Sequence, residues 1–124
     1  MTFLLDENFP PQVAVSLKAL ELPFAHSTDF VAKGTTDEDL FKVVKERGFY
    51  LVTRDRRMWK NKVQRQALLD LGLGVFIHVS TTRVTPPQLT EMLLSRREEM
   101  LQIVTREKRP FVMRIPDRGK IGSL

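Results

Sequence analysis

Short apolar runs that alternate with helical patterns constrain this chain more than any other feature of its sequence. Residues 2–5, 49–53 and 75–79 are continuously apolar or neutral rather than alternating in polarity. Such runs are typical of strands that are covered on both faces, as in parallel sheets. Residues 24–27 form a weaker strand candidate, and residues 111–115 are predicted to form an edge strand.

Helical patterns separate these runs. The first begins at Pro10, where a proline costs little because the first helical N–H groups lack partners anyway. The second is capped by Thr35 or Thr36 and ended by Gly48, and Thr85 is the predicted N-cap of the longest helix. The predicted helices cover residues 10–20, 36–47, 61–71 and 86–108.

The alternation of strands and helices predicts the fold class. It indicates an α/β protein, a three-layer α/β/α sandwich around a mostly parallel five-stranded sheet. A chain of 124 residues is one domain by length, which we place at residues 1–116. Residues 117–124 contain Gly119 and Gly122 and are predicted to form a flexible tail.

Composition excludes several classes of protein. Cysteine is absent, which excludes disulfides, cysteine-based zinc sites and thiol nucleophiles. No apolar run approaches the roughly 20 residues of a membrane helix, and the N-terminus lacks the pattern of a signal peptide. The expected location is therefore the cytoplasm. No glycine-rich nucleotide-binding motif is present, and Ser80 and Thr81 have no histidine base for a serine triad.

Acidic residues recur where a parallel sheet carries its sites. Asp6 follows the first strand, Asp55 follows the strand at 49–53, and Asp37, Glu38 and Asp39 open the helix between them. Sites in open α/β sheets gather at the carboxyl ends of the strands. Carboxylates brought together there repel one another unless a cation neutralises them, and hard oxygen ligands select Mg²⁺ or Mn²⁺.

Basic residues dominate the second part of the chain. Residues 1–53 carry 5 Lys/Arg and 8 Asp/Glu, whereas residues 54–124 carry 15 and 7. A basic cluster next to Asp55 attracts phosphates, so it predicts a phosphate-binding rim beside the acids. The rim is predicted to consist of Arg54, Arg56, Arg57 and Lys60.

Three motifs resemble those of a known family. FLLDENFPP, GTTDEDLF and FYLVTRDRRMW occur in this order within residues 3–59. Together they resemble the PIN-like ribonuclease superfamily, and within it the small toxins of the VapC type. The resemblance implies a divalent-metal-dependent endoribonuclease, which hydrolyses phosphodiester bonds with Mg²⁺ or Mn²⁺ and acts as the toxin of a type II toxin-antitoxin system.

The resemblance also implies roles for individual residues. Asp6, Asp37 and Asp55 match the catalytic, metal-binding acids. Asn8, Thr53, Glu38 and Asp39 match supporting positions. An RNA substrate and an antitoxin protein are the implied partners, and a homodimer is compatible with the class. The sequence departs from the family pattern at Arg57, where members often carry a second acid.

Two other functions remain open from the sequence. A degenerate PIN-like module would keep the fold for nucleic-acid or protein binding but lose activity, and the departure at Arg57 favours it. A phosphoacceptor receiver domain would use Asp6, Glu7 and Asp55, with Ser80 or Thr81 and Lys108. The acids at 37–39 would have no task in a receiver domain.

Overall fold

A single six-stranded sheet forms the centre of the molecule. The computed structural model describes all residues 1–124. The strands lie in the order β2-β1-β3-β4-β5-β6, the first five parallel and the last antiparallel to β5. The strands are β1 (Phe3–Leu5), β2 (Phe24–His26), β3 (Tyr50–Thr53), β4 (Gly74–His78), β5 (Phe111–Ile115) and β6 (Gly122–Ser123).

Five α-helices connect the strands. Thr36 caps α2, its hydroxyl accepting a hydrogen bond from the N–H of Asp39 at 3.2 Å, and Gly48 ends this helix with a φ of 68°. Thr85 and Gln88 form a capping box at the start of α5. The helices are α1 (Pro11–Ala19), α2 (Asp37–Arg47), α3 (Arg57–Lys60), α4 (Lys62–Asp70) and α5 (Pro86–Arg106), with a 3-10 turn at Ser27–Asp29.

Two apolar cores cover the two faces of the sheet. Alternate residues of β1 show the division, because Phe3 and Leu5 pack on one face and Leu4 on the other. The Phe3 face carries α1 and α5, and the Leu4 face carries α2 and α4. The arrangement confirms the predicted three-layer α/β/α fold with a mostly parallel sheet. None of the helices has the length and apolar character of a membrane span.

Three details differ from the prediction. β5 is not an edge strand, because β6 pairs with it through Met113 and Arg114. Residues 117–124, predicted as a loose tail, return to the sheet because Ile121 is buried and its N–H donates to Glu99 Oε2 at 2.7 Å. The short helix α3 was also not predicted, since four residues are too few to show a period.

The topology places one edge of the sheet where sites are expected. The chain leaves β1 for β2 on one side and returns to place β3 on the other side of β1. This reversal is a topological switch point, and the crevice beyond the carboxyl ends of β1 and β3 is the usual location of a ligand site in such sheets. Asp6 and Asp55 follow these two strands.

Candidate active site

Thr53 connects the ends of β1 and β3 across the switch point. Its hydroxyl donates a hydrogen bond to Asp6 Oδ2 and accepts one from the backbone N–H of Asp55 at 3.0 Å. The side chain of Thr53 is fully buried. One hydroxyl therefore fixes the positions of two acids that are 49 residues apart in sequence.

Asp6 is the most buried acid of the site. It is 3% exposed, and Asn8 donates to it twice, from its backbone N–H at 3.0 Å and from its side-chain amide at 3.2 Å. Burial raises the pKa of Asp6 to about 6, although hydrogen bonds from Thr53 and Asn8 oppose this rise. The negative charge of Asp37 adds to it. Asp6 is thus a carboxylate that a cation would stabilise.

Asp37 reaches the same crevice from the first turn of α2. Burial raises its pKa, and the charge of Asp55 raises it further. Gln64 of α4 donates a hydrogen bond to Asp37 Oδ2 at 2.5 Å. The charge of Asp37 thus acts on Asp6, and that of Asp55 acts on Asp37.

Glu7 holds the loop that leads into α2. Its Oε1 accepts a hydrogen bond from the backbone N–H of Gly34 at 2.6 Å. Gly34 has a φ of 84°, a left-handed conformation that glycine adopts at low cost. The contact ties the end of β1 to the start of α2, and so positions Asp37 near Asp6.

Arg57 neutralises Asp55. Its Nε and Nη2 donate to the two carboxylate oxygens of Asp55, both at 3.0 Å, and its backbone N–H donates to Oδ1 at 2.9 Å. Burial acts to raise the pKa of Asp55, but these hydrogen bonds hold it below its ordinary value. The Arg57 side chain is 82% exposed, so water screens this pair.

The other predicted residues divide into two groups. Glu38 and Asp39 are exposed on α2, and Asp39 lies 3.9 Å from Lys42, so neither contributes to the acidic site. Among the basic residues, Arg56 and Lys60 line a cavity beside the site. Arg54 is half-buried. The pKa of His78 is lowered first by the burial of His78 itself and then by the charge of Arg54. Arg54 lies beside His78 rather than on an exposed rim.

The sequence did not reveal two contributors to the site. Gln64 is an ordinary polar residue of a helical pattern, and only the packing of α4 beside α2 brings it to Asp37. Glu7 was noted as an acid after β1 but had no assigned partner in the proposed site. The neutral loop residue that it holds, Gly34, gives no sequence signal of such a contact.

A comparison with protein families decides the relationship of the chain. The model of the family described as PIN like domain matches residues 1–80. The chain belongs to the PIN-like domain family. The matched residues include strands β1 to β4, the three acids and the predicted basic rim. Searches of curated proteins and of solved structures gave no significant match.

Membership in the PIN-like family indicates a nuclease-type protein. The three motifs of the chain predict a divalent cation at this site. Asp6, Asp37 and Asp55 supply hard oxygen donors of the kind that Mg²⁺ and Mn²⁺ prefer. Gln64 Oε1 is buried beside Asp37 without a hydrogen-bond partner, which adds a further oxygen.

The donor chemistry of this PIN-like site fits a cation, although Asp55 is engaged elsewhere. No three acidic or histidine side chains lie close enough together in the structure to hold a metal ion. Arg57 gives a physical reason, because its guanidinium already holds both oxygens of Asp55. Asp6 and Asp37 would be the carboxylate ligands of such a cation, whereas both oxygens of Asp55 accept hydrogen bonds from Arg57.

Proposed function

We propose that the protein is a divalent-metal-dependent endoribonuclease. The observation that carries the proposal is the pair Asp6 and Asp37, two carboxyls with raised pKa values at the switch point of a PIN-like fold. Their ionised forms are costly without a cation. Bound there, Mg²⁺ or Mn²⁺ would stabilise charge on the scissile phosphate and lower the pKa of an attacking water.

The residues of the chain would divide the remaining work. Thr53 and Asn8 hold Asp6 in one orientation, and Gln64 does the same for Asp37. Arg57 would exchange its hydrogen bonds with Asp55 for a contact to the substrate phosphate, since a guanidinium pairs well with either anion. The basic residues Arg56 and Lys60 would attract the RNA backbone.

The acids of α2 offer a matched test of this proposal. We expect Asp37→Asn to lower the rate of RNA cleavage in Mn²⁺ by orders of magnitude, because a metal-bound carboxylate is lost. Asp39→Asn removes the same charge from the same helix turn but outside the site, and should cleave RNA like the unaltered protein. Equal activity of the two variants would contradict the assignment of Asp37.

A narrower proposal is that the protein acts, through RNA cleavage, as the toxin of a toxin-antitoxin pair. Its support is the similarity of the three motifs in residues 3–59 to those of VapC-type toxins. An antitoxin protein would then be the partner. Expression of the protein should arrest growth of a host cell, and Asp6→Asn should abolish the arrest. Growth arrest by both proteins would point to a cause other than catalysis.

The pairing of Arg57 with Asp55 favours one alternative, a PIN-like module that binds RNA without cleaving it. In such a module the guanidinium of Arg57 would permanently take the place of a metal ion at Asp55. The two functions differ in their response to metal. A catalytic protein should gain thermal stability from millimolar Mn²⁺ and lose it again with EDTA, whereas the inactive module should not respond.

A further inference from the structure

A small cavity lies one strand away from the acidic site. It has a volume of about 180 Å³, with an apolar lining formed by Trp59, Ile77, Val79 and Leu124. Three basic residues, Arg56, Lys60 and Arg114, also line it. We call this cavity the Trp59 pocket. None of its three basic residues forms an ion pair within the structure.

The register of the sheet sets the distance from the pocket to the acids. Ile77 is paired with Thr53 on one side and with Arg114 on the other. Thr53 hydrogen-bonds Asp6, and neighbouring strands lie about 4.8 Å apart. Residues in register share a face of the sheet, so the floor of the pocket continues directly from the Asp6–Thr53 pair. Arg56 follows Asp55 in sequence and adjoins both sites.

The pocket is held open by contacts outside it. Arg56 Nη2 donates to the backbone carbonyl of Ser80 at 3.1 Å, which fixes this side chain between β3 and the loop after β4. The guanidinium of Arg65 lies 5.3 Å from the centroid of the Trp59 ring. This cation–π contact orients the ring before any ligand arrives.

The chemistry of the pocket selects its occupant. An apolar floor with an aromatic ring suits a flat ring system, and three unpaired cations around it suit an attached phosphate. The volume lies below the roughly 300–1,000 Å³ of pockets for drug-sized ligands, so one ring system fits better than a peptide segment. A base inside a duplex is stacked and cannot enter.

We propose that the Trp59 pocket binds the base of one nucleotide of single-stranded RNA next to the cleaved phosphate. Arg56, Lys60 and Arg114 contact the phosphate of that nucleotide. The proposal rests on the proposed function and names the residues of this chain that would hold a base beside the acidic site. It also assigns a binding role to Trp59 and Arg114, which lie outside the predicted basic rim.

Trp59 is the only tryptophan of the chain, so its fluorescence reports this pocket alone. The full-length protein is titrated in EDTA with single-stranded RNA, with an abasic strand of equal length and with duplex RNA. The single strand should change Trp59 fluorescence saturably. The abasic strand should bind at least about fivefold more weakly, because the stacked base is missing. Equal affinity for both strands would overturn the proposal.

Two variants separate the pocket from the general basic surface. Arg114→Ala should weaken binding of the single strand and flatten the slope of log affinity against log salt by roughly 0.7, the value for one phosphate contact. Arg106→Ala removes an equal charge at the end of α5 and should leave affinity and slope unaltered. A loss with Arg106→Ala and none with Arg114→Ala would place the RNA elsewhere and overturn the proposal.

A separate measurement of RNA cleavage distinguishes the nuclease proposal from the proposal that the Trp59 pocket binds a base. RNA that is cleaved in Mn²⁺ while Trp59 fluorescence stays constant at saturation would overturn the pocket and leave the nuclease standing. The pocket would then be open to a protein partner. Saturable fluorescence changes without cleavage would support the pocket and contradict the nuclease.

Discussion

Asp6, Asp37 and Asp55 follow similar sequence signals but differ in pKa because their surroundings differ. Burial raises the pKa of Asp6 and Asp37, whereas Arg57 holds the pKa of Asp55 below its ordinary value. The three carboxylates therefore differ in how far their negative charge is compensated. Asp55 is paired with Arg57, while Asp6 and Asp37 accept hydrogen bonds only from neutral donors, although the charge of Arg57 also lowers the pKa of Asp37. A bound cation would therefore stabilise the ionised forms of these two carboxyls most.

Asp6→Asn should stabilise the protein at neutral pH. The pKa of Asp6 is raised from 3.8 to about 6, so the folded state binds this proton more tightly than the unfolded chain does. Stability falls as pH rises through this window, and above it the ionised carboxylate costs about 3 kcal/mol. The asparagine removes the charge but loses an accepted hydrogen bond, so we expect a net gain of roughly 1–3 kcal/mol.

Urea unfolding in EDTA measures this effect. The gain from Asp6→Asn should be present at about pH 8 and should vanish near about pH 4, where the native carboxyl is protonated as well. Asp39→Asn, an exposed acid of α2, serves as the control and should show no such change with pH. A gain of equal size at both pH values would argue against a buried, ionised Asp6.

Arg57→Ala should strengthen metal binding. The substitution removes a positive charge and frees both oxygens of Asp55 to act as ligands. Water screens the exposed guanidinium of Arg57, so its removal should change the stability of the fold little. Titration with Mn²⁺, followed by the melting temperature, should show a severalfold lower midpoint concentration than in the unaltered protein.

Arg56→Ala provides the matched control for Arg57→Ala. Arg56 is the adjacent exposed arginine, but it binds the carbonyl of Ser80 instead of an acid. Its removal should leave the Mn²⁺ midpoint close to that of the unaltered protein. A midpoint that rises in Arg57→Ala would mean that the guanidinium supports the metal site rather than competing with it.

At the scale of elements, the sequence predicted the strands and long helices because their signals are local. Continuous apolar runs marked β1, β3 and β4, and weaker patterns marked β2 and β5. Helix ends were predicted at Thr35 or Thr36, at Gly48 and at Thr85, and the structure has them at Thr36, Gly48 and Thr85. The missed elements have no such signal. β6 has two residues, and its pairing with β5 depends on the burial of Ile121, a tertiary contact.

The same distinction applies to the site. The placement of Asp6 and Asp55 at strand ends could be predicted, because parallel strands bring their carboxyl ends to one edge. The helical pattern alone does not separate Asp37 from Glu38 and Asp39, because all three open the same helix, and only the family resemblance assigned the catalytic position to Asp37. Their different surroundings arise from packing of α2 against α4, where Gln64 contacts Asp37 alone.

Gly74→Ala should destabilise the junction of β3, β4 and β5. A Cβ at Gly74 would lie 2.6 Å from Cδ1 of Tyr50 and 2.8 Å from Cζ of Phe111. These two rings stack with centroids 5.9 Å apart, so they cannot both move without loss of packing. We expect a cost of about 1–3 kcal/mol in urea unfolding.

Gly122→Ala in β6 is the control for Gly74→Ala, because nothing lies within 4 Å of its added Cβ. It should change stability by a few tenths of a kcal/mol at most, the range of ordinary surface substitutions. Equal effects of the two substitutions would mean that the rings above Gly74 adapt without cost.

At the scale of the whole molecule, fold and charge converge on one edge of the sheet. The first 53 residues contribute most of the acids of the site, and the basic residues Arg56, Arg57 and Lys60 lie beside it. Both cores support this edge, since Thr53 ends a strand that is covered on both faces. The proposed cation site at Asp6 and Asp37 therefore lies beside the proposed RNA-binding surface at the Trp59 pocket.

A crystal soaked in Mn²⁺ tests the central claim of a metal site most directly. Anomalous scattering locates manganese independently of any assumption about the protein. The account predicts a peak in contact with the carboxylates of Asp6 and Asp37, with Arg57 displaced from Asp55. Absence of a peak there at millimolar Mn²⁺, with Arg57 still bound to Asp55, would contradict it.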